Sequence, residues 1–327
     1  VSADHREPWN SFNSYLRARF GARVHRVALD AGLTCPNRDG TKGRGGCVFC
    51  DSAGSRAEYQ NPSLPIAEQM RQGMERLEQR FGCQRFIAYF QAYTNTYGPP
   101  ELLERLWREA RIDERVVGLA VGTRPDCASD ETLDRLARVV RDLYQIGWVE
   151  YGYISRTQAV LDAVNRRERV EDFERAVEAA HARGLPVCAH VIFGLPGEPL
   201  EATAQATAPW MARLGIEGVK LHNLFVVRDS PLAQSWRRGE AAPPALGDYV
   251  RAVCDFLERI SPECLIHRLA GEAPGDRMLA PDWARDKQKV LDSIRAEFAR
   301  RGTRQGVLWS GATTSRGSSL PDSGVCS

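Results

Sequence analysis

No apolar run in this 327-residue chain approaches the roughly 20 residues needed to cross a bilayer, so no membrane span is expected. The opening stretch VSADHREPWNSF has none of the charged-then-apolar layout of a secretory signal, and the cytoplasm is the expected location. Neither sign of charge is in excess: 44 Lys and Arg stand against 42 Asp and Glu. Bulk charge therefore neither demands nucleic acid nor excludes it. No repeats of the solenoid kind are found. Nine cysteines is an odd number in a long chain without an export signal, so a disulfide framework is not expected.

Hydrophobic residues make up 43% of the chain, enough for a sizeable core. Strand-like and helix-like runs alternate. RVALD (26–30), RFIAYFQA (85–92), VVGLAVG (116–122), WVEYGYIS (148–155), PVCAHVIFG (186–194) and GVKLHNLFVV (218–227) read as strands. Between them lie helical patterns. Ile66, Met70, Met74, Leu77 and Phe81 share one face, Pro99 and Pro100 open the next, and Ser129 is an N-cap candidate for a third. A fourth ends at Gly184, and a fifth covers about 200–214. Six such units, about 30 residues each after the first, predict a parallel sheet with crossover helices. The expected fold is α/β, a partial (β/α)6 TIM-like barrel with a C-terminal α/β extension; a doubly wound open sheet is the alternative. Either gathers its chemistry at the carboxyl ends of the strands. The expected divisions are an N-terminal segment (1–24), the barrel (25–240), the extension (241–309) and a Gly/Ser-rich disordered tail (310–327). ECLIHRLAG (263–271) is a candidate for one more strand, and KQKVLDSIRAEFARRG for a late helix.

Six cysteines, Cys83, Cys127, Cys188, Cys254, Cys264 and Cys326, are scattered singly and read as small buried hydrophobes. The other three crowd into LDAGLTCPNRDGTKGRGGCVFCDS (29–52), directly after the first strand. Cys47 and Cys50 form a C-x-x-C, and Cys35 lies twelve residues before Cys47. Soft thiolates at this spacing suit an iron–sulfur cluster or zinc, and unligated thiols remain a third reading. Three thiolates around a four-iron cluster leave one iron open. A structural zinc needs a fourth ligand from afar. Glycines 40, 43, 45 and 46 suit a loop that wraps closely and turns backbone N–H groups toward sulfur.

LDAGLTCPNRDGTKGRGGCVFC resembles the cluster loop of the radical S-adenosylmethionine (SAM) superfamily. More closely it resembles a bacterial subfamily with a long first Cys gap, related to the Elongator catalytic-subunit group. The likeness extends through WNSFNSYLRARFG (9–21), GTRPDC (122–127), VCAHVIFGLPGE (187–198), VKLHNLFVV, IHRLAGEAP and LAPDW, nearly the whole chain but its tail.

The resemblance implies a [4Fe-4S] cluster on Cys35, Cys47 and Cys50. It implies that SAM chelates the open iron and that one electron cleaves it to methionine and a 5′-deoxyadenosyl radical. That radical takes a hydrogen atom from a substrate, which RNA, a metabolite or a protein side chain would fit. A reducing donor such as flavodoxin or ferredoxin is implied as a partner. By the superfamily's pattern the strand ends hold SAM. Gln91, Thr94 and Asn95 are candidates for the methionine part, Arg124 for a carboxylate and Asp126 for a hydroxyl. Glu150, in an apolar run, is a candidate for a ribose or an Arg contact, since buried carboxylates need partners. The backbone of FGLPGE, at Gly194, is expected near the adenine, and Glu198 reads as a helix-start residue. His190, His222 and Lys220 would form a polar wall if they point inward, though a satisfied core role suits each histidine. His267 and Arg268 raise the same question. One departure is EYGYIS (150–155), where Ile154 replaces an amide found in relatives.

Overall fold

The computed structural model describes residues 7–51, 54, 56, 60–271 and 277–311. Its centre is a parallel sheet of seven strands: β1 (Val24–Leu29), β2 (Arg85–Phe90), β3 (Val116–Thr123), β4 (Ile146–Gly152), β5 (Val187–Phe193), β6 (Gly218–Asn223) and β8 (Leu265–Arg268). They are hydrogen-bonded in that order and curl into a half-barrel. The expected six-unit barrel thus gains a seventh strand from within the extension. All eight residues of β3 are buried, as a parallel sheet covered on both faces requires.

The crossover helices form where the sequence gives them an apolar face. Helix α1 (Phe12–Phe20) precedes the sheet. Helix α2 (Ile66–Phe81) buries Ile66, Met70 and Met74, and Gly73 allows it to press directly onto Val27 of β1. Helix α3 (Pro100–Glu109) opens on Pro100, whose missing N–H costs nothing in a first turn. Helix α4 (Asp130–Leu143) is capped by Ser129, which accepts from the Thr132 N–H at 3.3 Å. Helices α5 (Gln158–Ala163) and α6 (Glu171–His181) follow β4. After β5 come α7 (Leu200–Ala202), a π-helical turn (Thr203–Thr207) and α8 (Ala208–Arg213). Helices α9 (Pro231–Arg237), α10 (Leu246–Arg259) and α11 (Lys287–Arg301) complete the shell.

The stretch 218–227 is two strands rather than one. The chain leaves the sheet after Asn223, where the Leu224 N–H donates to the Phe193 carbonyl at 2.9 Å. Val226–Val227 (β7) then pair antiparallel with Met278–Ala280 (β9). Cys326 and residues 312–327 of the tail lie outside the described residues.

Alternation along each strand gives the barrel two faces. The outer face meets the helices. At the amino ends of the strands the inner face is apolar: Val24, Ile87, Val117, Ile146, Trp148 and Leu265 pack around Phe12 and Leu16 of α1. Helix α1 lies across the seam between β1 and β8, with Ser11 bridged to Ile266 and the Ile266 N–H donating to the Asn10 carbonyl at 2.8 Å. The barrel is thus plugged at one end, and the other end carries the cysteine loop.

Candidate functional site

The loop after β1 is fastened to the strand ends around it. Between Cys35 and Cys47 the chain makes a small hairpin in which Asp39 bridges Arg44. Gly46 has φ of +79°, and a Cβ there would lie 2.9 Å from Arg38 Nε, so both the backbone and the close approach call for glycine. Asn37 donates to the Asn165 carbonyl at 2.6 Å, and the Asn165 side chain donates to the Gly46 carbonyl at 2.8 Å. The C-x-x-C turn is stitched on both sides. The Val48 N–H donates to the Val164 carbonyl at 3.0 Å, and the Val48 carbonyl accepts from Leu232 at 2.9 Å. Val48 and Phe49 rest on an apolar pad of Ile154, Val160, Leu161, Leu195 and Leu224. Ile154 therefore has a packing role beneath the loop, where an amide would need partners.

Each of the three thiols has a guanidinium in its field. Arg166 Nη1 lies 3.9 Å from Cys47 Sγ, Arg38 faces Cys50, and Arg124 acts on Cys35. Asn37 adds an amide N–H 3.7 Å from Cys47 Sγ. Burial pushes the Cys50 thiol up to about 11, against the pull of Arg38, so its proton leaves when a metal takes its place. Among the described residues, the His, Cys, Asp and Glu donor atoms that gather within 4.8 Å of one another belong to Glu150, Cys188 and His190, not to the loop thiols. A single tetrahedral zinc, about 2.3 Å from each sulfur, would draw the thiols to about 3.8 Å apart. Wider-set thiols in a cationic frame suit a larger anionic centre.

The predicted strand-end residues surround this loop. Asn95 is fully buried and donates to the carbonyls of Ala92 (3.1 Å) and Gly122 (2.9 Å), while its Oδ1 has no partner. The Thr94 N–H donates to the Thr34 carbonyl at 3.3 Å, tying the end of β2 to the residue before Cys35. Gln91 follows β2, its N–H donating to the Leu29 carbonyl. Arg124 is buried at the end of β3, and the carboxylate it faces is that of Asp126, through two contacts of 2.8 Å. Burial disfavours the Asp126 charge, but Arg124 wins and holds its carboxyl at about 2. Arg124 also donates to the Arg166 carbonyl at 3.0 Å, leaving its Nη1 buried without a partner. Gly194 follows β5 with φ of +92°, and a Cβ there would lie 2.7 Å from Pro244 Cδ. Glu198 is not a helix cap: it accepts from Ser155 Oγ at 2.6 Å and so links the ends of β5 and β4.

Deeper in the barrel, Glu150 is fully buried. It accepts from Lys220, from His190 Nε2 at 2.9 Å and from Arg26 at 3.3 Å. The expected Arg contact is thus present. Burial alone would raise the Glu150 pKa, but Lys220 and Arg26 hold it well below the usual range. With both cations and His190 on its oxygens, Glu150 is the centre of a hydrogen-bonded network rather than a metal ligand. Burial, then Arg26, lowers the Lys220 ammonium to about 7, and its Nζ lies 4.1 Å from the centre of the Tyr89 ring. His190, His222 and Lys220 all face inward, the two histidine rings 5.5 Å apart. His267 stacks on Phe12 at 3.8 Å and takes a 2.7 Å contact from Arg26.

Sequence reasoning missed Arg26, Asn37, Arg38, Asn165 and Arg166. Arg166 sits in VNRRERV, a charged run with the look of a solvated face, yet it is buried and donates to the Gly152 carbonyl at 3.0 Å. The one available signal was position: the run closes the connection after the fourth strand, where a barrel keeps its chemistry.

Comparison with known proteins agrees with this geometry. Residues 38–206 match the Radical SAM superfamily, and residues 216–300 match the Radical_SAM C-terminal domain. The first segment takes in Cys47 and Cys50 and begins three residues after Cys35. The chain is 36% identical over 301 residues to the uncharacterized protein YtqA of Bacillus subtilis, covering 92% of each. It is 35% identical over 303 residues to the protein YhcC of Escherichia coli, covering 92% of this chain and 96% of that one. Among solved structures, the archaeal Elp3 of Methanocaldococcus infernus superposes with a TM-score of 0.64 at 18% identity, over 86% of this chain and 64% of that one. Methylornithine synthase (PylB) gives 0.50 at 12% identity, over 90% and 86%. A half-barrel with three thiols at its mouth and a Radical SAM superfamily match over more than half of the chain lead to one conclusion: this chain belongs to the radical SAM superfamily and is an enzyme of that class.

Proposed function

We propose that Cys35, Cys47 and Cys50 hold a [4Fe-4S] cluster whose open iron takes SAM. The observation that carries this reading is the loop itself: three thiols, each beside an arginine, at the open end of a half-barrel plugged at its other end. When bound, the cluster and SAM supply a one-electron reductive cleavage that yields a hydrogen-abstracting 5′-deoxyadenosyl radical. The chain's own residues bind, orient and exclude water. Arg38, Arg124 and Arg166 offset the negative charge of the thiolates. Asn95 Oδ1 and Arg124 Nη1, buried and without partners, are groups free to meet the polar parts of SAM. Thr94 and Gln91 would line the methionine side, and the turn at Gly194 would let the backbone approach the adenine. Asp126 fixes Arg124, and Glu150 orders the layer beneath.

RNA is the substrate class that the likeness favours. The tRNA uridine(34) acetyltransferase of Dehalococcoides mccartyi is 28% identical to this chain over 162 residues, covering 49% of this chain and 34% of that protein. Flavodoxin or ferredoxin would serve as the electron donor. No helix among the described residues is long and apolar enough to cross a membrane.

The test is anaerobic reconstitution with iron and sulfide, then dithionite and SAM, with 5′-deoxyadenosine read by chromatography and metals counted on the same sample. A brown protein that forms deoxyadenosine is expected. A colourless protein with one zinc and intact SAM would overturn the reading and leave a zinc-stabilised scaffold.

A further inference from the structure

Strands β5, β6 and β8 carry His190, Lys220 and Arg268 in one row, since His190 pairs with Lys220 and Lys220 with Arg268 in the sheet register. The Arg268 charge falls on His222, His190, Lys220 and Tyr89. Yet the Arg268 side chain makes no hydrogen bond or ion pair with any described residue. His222 beside it has its Nε2 buried and without a partner.

Among the described residues, this layer sets two permanent cations, Arg26 and Arg268, and the amine of Lys220 against one carboxylate, Glu150. Glu150 is already engaged by Lys220, Arg26 and His190. Burial and the neighbouring cations keep the imidazoles of His190, His222 and His267 neutral. Positive charge is therefore left over in a largely enclosed space, where an unpaired cation is costly. The layer is still reached from outside: the His190 side chain is 23% exposed, and Arg268 is half-buried.

We propose that Arg268, with His222 and Lys220, recognises an anionic oxygen group on the substrate, a carboxylate or a phosphate. The guanidinium fork matches two oxygens of either group, and His222 Nε2 offers a further N–H. The site rests on the reading of the barrel as the reaction chamber, because it makes this wall part of the substrate's surroundings.

The test is calorimetric titration of the anaerobically reconstituted full chain with inorganic phosphate and, separately, malonate. Saturable binding of at least one anion is expected. Phosphate alone assigns a nucleotide-type group, and malonate alone a carboxylate. Arg268→Gln should weaken that binding about tenfold or more, as loss of a charge-assisted bidentate contact does. Arg268→Lys should restore part of it, because the charge stays and the fork goes. His222→Phe, which leaves Arg268 in place, should also weaken it and serves as the second variant should Arg268→Gln fail to fold. Two results overturn the site: no saturable binding of either anion by protein that cleaves SAM, or folded variants that bind as tightly as wild type. Arginine-dependent binding by protein that leaves SAM intact would keep the site and sink the radical SAM reading instead.

Discussion

Asn37, two residues after the first cysteine of the loop, donates its side-chain amide to the backbone carbonyl of Asn165, beyond α5. The same amide nitrogen lies 3.7 Å from Cys47 Sγ. One side chain thus joins the hairpin to the opposite wall and faces the sulfur. Asn37→Ala should leave the barrel folded and loosen the loop, since a lost buried hydrogen bond costs about 1–3 kcal/mol. The expected outcome is several-fold faster loss of the cluster's visible absorption in a chelator, with little change in thermal unfolding. Loss at the wild-type rate would show that the clamp does not govern retention.

Replacing Cys35, Cys47 or Cys50 by Ala should abolish cluster uptake, because in the proposed site these three thiolates are the protein ligands. Cys83 is buried behind β2 with no part in the loop, so Cys83→Ala should keep iron and sulfide at wild-type content. A full iron complement in the Cys47→Ala protein would refute the ligand assignment.

Glu150 and Lys220 form a buried pair that is expensive to break from one side. Glu150→Gln leaves Lys220 and Arg26 without their carboxylate and should cost about 3–5 kcal/mol in urea unfolding. Lys220→Met should cost less, since Arg26 and His190 still hold Glu150. The double variant should be more stable than the sum of the single losses predicts. Strict additivity would mean the two side chains do not depend on each other.

Burial, then Lys220, holds His190 down at about 4, and burial, then the neighbouring cations, holds His222 and His267 well below the ordinary value near 6.5. The unfolded chain therefore binds protons between about pH 6.5 and 4 that the folded chain refuses. The stability these groups contribute is fully present above pH 6.5 and falls as the solution is acidified through that window. For a shift the size of His190's the loss is roughly 3–3.5 kcal/mol. His190→Gln, which can still donate to Glu150, should flatten the slope of unfolding free energy against pH. An unchanged slope would place the acid sensitivity elsewhere.

Much of this was legible because it is local. Three thiols in one glycine-rich loop mark a soft-ligand site, while spacing alone leaves an iron–sulfur cluster, zinc and unligated thiols open. Six apolar runs separated by amphipathic helices state a parallel sheet. Glu150, Lys220 and His190 stood out as polar residues inside apolar strands. Arg26 did not, because a charge near the start of a short strand reads as solvated. Arg166 hid in a run of charges for the same reason. The break between β6 and β7 had no local mark, because the partner of β7 is β9, Met278–Ala280. The plug made by Phe12 and Leu16 was hard to foresee because α1 is short and sets its apolar Phe12, Tyr15, Leu16 and Phe20 among arginines and polar residues.

The seam beside α1 also sets an order of events for a growing chain. Asn10 is tied to Gln305, 295 positions away, and Ser11 to Ile266. Such distant contacts carry the largest loop-closure cost and form late. On a ribosome the wall from β1 to β6 can be laid down strand by strand, while its last seam waits for residues 265–305 to emerge. Until then the edge of β6 stands without its partner, and a nascent chain halted before residue 265 would present that edge to chaperones.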